Sequence, residues 1–189
     1  MSKYKNTIII ASLVVLSLGL LSFVVLKNRK ANQVFLLGGL DDRSGDKNIQ
    51  EQSALLSQGL SNSKAVSAFR YTDSSGIINQ IKLSKSPVYV VLFSAGCRHS
   101  EKVAQAMLNK GYSLNNMYIV EPYAVSSSGA TTKSVISAVN LGVPQKNVVV
   151  GKSKSTGKGV VPNTTPTPEC SPSHWCAIKM VGQMIANGR

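Results

Sequence analysis

The sequence contains few of the residues that build metal sites and disulfide frameworks. Its 189 residues include three cysteines and two histidines. A disulfide-dense mini-protein needs more cysteines than this, and a structural zinc site needs four closely spaced ligands drawn mainly from Cys and His. We therefore exclude the disulfide-dense class and expect neither a metal ion nor another cofactor.

Acidic residues are also scarce. Asp and Glu number 8 against 21 Lys and Arg, which gives a formal net charge of +13. Such an excess suits nucleic acid or anionic lipid headgroups, and several of the lysines cluster at Lys146, Lys152, Lys154 and Lys158. No aromatic residues are interleaved with these lysines and no nucleic-acid-binding motif is recognisable. We interpret the cluster as a solvated basic loop and do not expect nucleic acid as a partner.

Charge is absent from one long segment near the N-terminus, Thr7 to Leu26, which reads TIIIASLVVLSLGLLSFVVL. A helix of this length crosses a bilayer core, so residues 1–30 are predicted to form a single-pass signal-anchor. A cleaved signal peptide, the alternative, has a shorter apolar core and a small-x-small cleavage site, whereas this run ends in Val-Val-Leu-Lys-Asn-Arg-Lys. Basic residues flank both ends, so the positive-inside rule leaves the sidedness open.

The remainder, residues 31–189, is long enough for one compact domain, and the 43% hydrophobic content of the chain excludes disorder. Apolar runs alternate with helical patterns, which is typical of a sheet covered by helices. The predicted strands are Gln33 to Leu37, Ala65 to Tyr71, Val88 to Phe93, Met117 to Val120 and Asn147 to Val150. The predicted helices are Asp46 to Leu60, a segment from the Ser94 turn to Asn109, Thr131 to Leu141, and His174 to Ala186. The predicted class is α/β with a mainly parallel sheet, and residues 77–83 form a short element of ambiguous type.

The strongest strand, Val88 to Phe93, ends in a sharp Ser94-Ala95-Gly96 turn that leads into a helix. A glycine pair follows the first strand, and His174 precedes the last helix. This order resembles the α/β-hydrolase superfamily in a minimal, lidless form. The resemblance implies that Ser94 is the nucleophile and that His174 is its general base.

The same resemblance implies an oxyanion loop at Gly38-Gly39-Leu40. The backbone N–H groups of Gly39, Leu40 and Ala95 would then hold the oxyanion. The family motif is Gly-x-Ser-x-Gly, and this chain departs from it because Leu92 stands in place of the first glycine. A small residue is expected there because the strand and the helix nearly touch.

The triad also needs an acid to orient the base, and the family order places it between the serine and the histidine. The acidic residues in that interval are Glu101, Glu121 and Glu169. Glu121 follows the fourth predicted strand, so it lies on the same carboxyl edge of the sheet as Ser94. The sequence therefore predicts a serine hydrolase that acts on an ester or lipid substrate with Ser94, His174 and Glu121. A salt bridge at the strand end is the alternative role for Glu121.

A second resemblance uses the same strand. Cys97-Arg98-His99-Ser100 is similar to the Cys-x-x-Cys entry of thioredoxin-like proteins, with Ser100 in place of the second cysteine. This resemblance implies an exposed, reactive Cys97 thiol at the start of a helix. His99 is expected on the helix surface or packed against it, and not as a general base.

Two further alternatives stay open. Leu92 and the few carboxylates favour a non-catalytic, hydrolase-like structural or assembly protein, for instance of a virion or an envelope. Cys170 and Cys176 flank His174. They form a disulfide if the domain faces an oxidising compartment, and they stay thiols in a reducing one.

Overall fold

A computed structural model of the protein describes residues 33–39, 46–122, 129–150, 163–166 and 176–188. The predicted anchor, Thr7 to Leu26, lies outside these residues, as do Leu40, Cys170 and His174. Contacts along the chain divide it into residues 1–30 and residues 31–189, and every described residue belongs to the second unit. Among the described residues, no helix has both the length and the apolar character that a membrane crossing requires.

In the part of the chain that the structure describes, six parallel strands form one sheet, in the order β2-β1-β3-β4-β5-β6. They are β1 (Gln33–Leu37), β2 (Ala65–Phe69), β3 (Val88–Phe93), β4 (Met117–Val120), β5 (Val148–Val150) and β6 (Thr165–Pro166). The central strands are runs of Val, Ile, Leu and aromatic residues that are almost entirely buried. Such runs are typical of parallel strands that are covered on both faces. The predicted parallel α/β fold is confirmed.

Helices cover both faces of this sheet, because a parallel pair of strands needs a crossover connection. They are α1 (Asp46–Gly59), α2 (Ser74–Leu83), α3 (Ser100–Asn109), α4 (Ala130–Asn140) and α5 (Cys176–Ala186). The core on one face lies under α2, α3 and α4, and the core on the other face lies under α1 and α5. A short 3₁₀ helix, Ser94–His99, joins β3 to α3.

Residues 74–83, which include the segment that the sequence left ambiguous, form helix α2. The Asp73 carboxylate accepts the Gly76 N–H at 2.9 Å and so caps the first turn. Ile77 and Ile81 are buried at helical spacing. With only one full turn between these two positions, the sequence pattern does not separate a short helix from a strand.

Helices α1 and α5 pack with their backbones close together. A Cβ atom on Gly182 would lie 2.7 Å from the Leu56 carbonyl oxygen, and one on Gly59 would meet the Lys179 carbonyl oxygen. Both positions therefore need glycine for the two helices to approach this closely. This contact holds α1 against α5 on one face of the sheet.

Candidate active site

The site lies where the sheet changes the side on which successive strands are added. Strand β1 leads to β2 on one side, whereas β3, its other neighbour, leads to β4 on the opposite side. In open α/β sheets, ligands bind in the crevice at the carboxyl ends of two such strands. Gly38 and Gly39 directly follow β1, and Ser94 directly follows β3. The topology thus brings these two segments to the place where a ligand is expected.

Ser94 has an unusual backbone conformation. Its φ is 51°, in the left-handed region that residues with a Cβ rarely adopt. It follows the extended residue Phe93 and begins the 3₁₀ helix. A strained serine at a strand-to-helix turn is the local geometry of a nucleophile elbow. Such strain costs about 1–3 kcal/mol and persists only where the surrounding packing holds it.

Two glycines allow this packing. A Cβ atom on Gly39 would lie 2.9 Å from the Ser94 Cβ, and one on Gly96 would lie 2.6 Å from the Leu37 carbonyl oxygen. A larger residue at either position would force the turn after β3 away from the end of β1. Gly96 occupies the last position of the Gly-x-Ser-x-Gly motif, and this close approach explains why that position is a glycine.

Leu92 occupies the position of the missing glycine, and it does not open the turn. Its side chain is fully buried and belongs to the core under α2, α3 and α4, together with Cys97 and Val103. Ser94 keeps its positive φ with this leucine in place. The departure from the motif is therefore accommodated by the core and not by a relaxed turn.

Glu121 directly follows β4, whose end lies next to the end of β3 that Ser94 follows. Phe93 pairs with Val120 across β3 and β4, so the serine and the glutamate each come directly after a paired residue. Neighbouring strands lie about 4.8 Å apart. Glu121 is half-buried with a φ of 48°, and its N–H donates to the Val149 carbonyl at 2.7 Å. The backbone thus brings the predicted nucleophile and the predicted acid to the same edge of adjacent strands.

Cys97 lies fully buried beneath the same turn. Its single S–H is shared between the carbonyl oxygens of Leu92, 3.2 Å from Sγ, and Val120, 3.4 Å from Sγ. Burial raises the pKa of the thiol far above its usual value, and the negative charge of Glu121 adds to this rise. The thioredoxin-like interpretation requires an exposed thiol of low pKa. The structure shows the opposite and corrects that interpretation.

His99 closes the 3₁₀ helix and is half-buried. Burial lowers the pKa of its imidazole below 6.5, the nearby positive charges of Arg98 and Lys102 lower it further, and a hydrogen bond with the Tyr71 backbone opposes the change. These surroundings favour a neutral imidazole that packs at the start of α3.

Gln52 is a buried polar residue that is not among the predicted site residues. It lies in α1 with 1% of its surface exposed, and its Oε1 accepts the Gly39 N–H at 3.0 Å. The Gly39 N–H, a predicted oxyanion donor, therefore has a partner inside the protein. A signal was present in the sequence, since Ile49, Gln52 and Leu56 follow helical spacing and Gln52 therefore shares the inner face of α1.

A pocket of about 250 Å³ lies at the opposite edge of the sheet. Its lining includes Tyr89, Tyr118, Lys146 and Asn147, at or before the amino ends of β3, β4 and β5. Burial raises the pKa of Tyr118 to about 12, and the neighbouring Tyr89 adds to the effect. Of the predicted site residues that the structure describes, none lines this pocket.

Cys176, at the start of α5, is disulfide-bonded. Its predicted partner Cys170, the predicted base His174 and the second predicted oxyanion donor Leu40 lie outside the described residues. Their roles stay predictions. Comparison of the chain with protein-family models, with curated proteins and with solved structures finds no match. The functional assignment therefore rests on the geometry at the ends of β1, β3 and β4.

Proposed function

We propose that the protein is a membrane-anchored serine hydrolase of the α/β-hydrolase type, which cleaves an ester or a similar acyl substrate. The observation that carries this proposal is the backbone of Ser94. The residue has a positive φ at the carboxyl end of β3, packed against the glycine turn that follows β1. A nucleophile elbow uses this conformation to present the serine hydroxyl at the edge of the sheet.

In the proposed mechanism, the Ser94 Oγ attacks the substrate carbonyl while His174 takes the hydroxyl proton. The alcohol then leaves with that proton, and a water molecule, activated by the same imidazole, hydrolyses the acyl-enzyme to release the acid. Glu121 orients His174 and stabilises its charged form. The acyl carbon first exchanges its bond to the alcohol oxygen for a bond to Ser94 Oγ. It then exchanges the bond to Ser94 Oγ for a bond to the oxygen of water, and the imidazole returns the proton to Ser94.

The developing oxyanion needs backbone donors. Ala95 is the second residue of the 3₁₀ helix, so its N–H has no acceptor within that helix. Because the Gly39 N–H donates to Gln52, the second donor in the proposal is the N–H of Leu40. The two donors come from the turns after β3 and β1, which meet at the contact between Gly39 and Ser94.

The proposed anchor, Thr7 to Leu26, would keep this site close to a bilayer. Lipid esters, whose ester groups lie near the membrane surface, then become accessible substrates. This part of the proposal is supported by the uncharged run of the sequence and by the length that a bilayer crossing requires.

The test is labelling of the full-length protein in membranes with a fluorophosphonate, which reacts with activated serines. We expect labelling of the wild type and none of Ser94→Ala or His174→Ala. Glu121→Gln should slow labelling by about 10⁴-fold, as expected when a triad acid is neutralised. Ser75→Ala, which alters an exposed serine of α2, is the matched control and should be labelled at the wild-type rate.

A non-catalytic structural or assembly role is the second candidate, and one observation favours it. Only 7% of the Ser94 surface is exposed, which leaves little access for a substrate. That function predicts a folded wild type without any labelling. Such a result, or labelling that persists in Ser94→Ala, would overturn the hydrolase proposal.

A further inference from the structure

Gln52 is one of few buried polar side chains in the described part of the chain. Glutamine is mostly exposed in folded proteins, and a buried amide is destabilising unless it is hydrogen-bonded. Here the amide oxygen accepts the Gly39 N–H at 3.0 Å. The bond is internal and links helix α1 to the turn that follows β1.

The glycine turn is held on two sides. Gly38 donates its N–H to the Phe69 carbonyl at 2.8 Å, which ties the turn to the end of β2. Gly39 is held from α1 by Gln52. A Cβ atom on Gly38 would lie 2.6 Å from the Gln52 Oε1, so a glycine at position 38 leaves the space through which the amide reaches its partner.

The other side of Gly39 faces the proposed nucleophile. A Cβ on Gly39 would lie 2.9 Å from the Ser94 Cβ and 3.1 Å from the Phe93 ring. Gln52, Gly39 and Ser94 thus form a continuous series of contacts from α1 to the turn after β3. The position of the Gly39 peptide thus depends on a side chain of α1 that lies outside the turn after β3.

We propose that Gln52 is a positioning residue for the glycine turn beside Ser94, a role that rests on the proposed hydrolase function. Its amide oxygen fixes the Gly39 peptide before substrate binds, so the oxyanion site needs no rearrangement during the reaction. Preorganised donors of this kind act in the transition state more than in substrate binding. The loss of Gln52 therefore lowers kcat and leaves KM nearly unchanged.

The test compares variants of the full-length protein in the fluorophosphonate reaction and in the hydrolysis of a p-nitrophenyl ester. Gln52→Met keeps the length of the side chain but removes the acceptor, and should slow labelling and lower kcat by about 10–100-fold, less than the loss of an oxyanion donor itself. Gln52→Glu keeps an acceptor oxygen at the same reach and should restore most of the rate. Gln50→Met, at an exposed position of the same helix, is the matched control and should behave as wild type.

The outcomes separate the positioning role of Gln52 from the hydrolase function. If the folded Gln52→Met variant labels at the wild-type rate, the positioning role is wrong and the hydrolase function stands. If the wild type is not labelled, the hydrolase function fails and the positioning role with it. Should Gln52→Met fail to fold, Gln52→Asn withdraws the amide by one methylene group and is expected to show the same loss of kcat. A lower melting temperature in Gln52→Asn with unchanged kcat would reduce Gln52 to a structural residue.

Discussion

The adjacent residues Gly38 and Gly39 contact different parts of the molecule. Gly38 faces Ile49 and Gln52 of α1, whereas Gly39 faces Phe93 and Ser94 of the neighbouring strand end. A single larger side chain would therefore disturb the helix at the first position and the proposed nucleophile at the second. The sequence predicts a loop at this pair, but the division of roles depends on which elements pack on either side.

His99 gives a prediction for the dependence of stability on pH. Because burial lowers the pKa of its imidazole below 6.5, the unfolded chain binds more protons than the native state between the native pKa and 6.5. The contribution of His99 to stability is present above pH 6.5 and is lost as the pH falls toward the native pKa.

We therefore expect His99→Gln to reduce the loss of stability between about pH 7.5 and about pH 5. The measurement is the urea midpoint of residues 31–189 at both pH values, for the wild type and for the variant. The two proteins differ only at position 99, so the difference between their changes in midpoint isolates the contribution of His99. An equal fall of the midpoint in the two proteins would show that His99 does not titrate with folding.

At the scale of secondary structure, the sequence predicted β1, β3 and β4 with the bounds that the structure has. Each is a Val-, Ile- or Leu-rich run bounded by Gly, Ser or polar residues, so the pattern is unambiguous. Strand β6 was missed, because a two-residue Thr-Pro strand carries no periodicity and proline is disfavoured inside strands. Gln52 was missed although helical spacing places it on the inner face of α1, because the sequence does not show the Gly39 N–H that it accepts.

The contact between α1 and α5 gives the prediction for this scale. In Gly182→Ala, the added methyl group would lie 2.7 Å from the Leu56 carbonyl oxygen and 2.8 Å from the Gly59 Cα, and backbone atoms cannot move aside as a flexible side chain can. Overpacking costs about 1–3 kcal/mol and exceeds the helix propensity that alanine gains, so we expect a net loss of about 1–2 kcal/mol in the free energy of unfolding.

Urea unfolding of the two proteins measures this difference. Gln183→Ala changes the next residue of α5, which is exposed, and should alter the free energy of unfolding by less than about 0.5 kcal/mol. If Gly182→Ala were as stable as the wild type, the helices would not need the close approach that the structure shows.

At the scale of the whole molecule, the arrangement of the site follows from strand order. The sequence predicts the strands and their sequence order, but it does not say which strands are neighbours. The order β2-β1-β3-β4 depends on how each crossover places the next strand, which is a property of the assembled sheet. This order makes β1 and β3 adjacent and so brings Gly39 against Ser94.

The proposed anchor gives the prediction at this scale. All described strands and helices lie after residue 32, so deletion of residues 1–30 should release a soluble domain with the circular dichroism of a folded α/β protein. The full-length chain should stay with the membrane in alkaline carbonate, because each large apolar side chain of the run is stabilised by about 1.5–3 kcal/mol in an apolar medium. Full-length protein in the carbonate supernatant would show that residues 7–26 do not anchor it.

The central claim is that the strained turn after β3 carries an activated serine. The most direct measurement is mass spectrometry of the tryptic peptide of residues 86–98 after fluorophosphonate treatment of the full-length protein. This peptide contains Ser86 and Ser94, and fragmentation distinguishes the two. We predict a single adduct on Ser94, lost when His174 is replaced by alanine. An adduct on Ser86 or on another peptide, or an unmodified Ser94 in the folded protein, would contradict the assignment of Ser94 as the nucleophile.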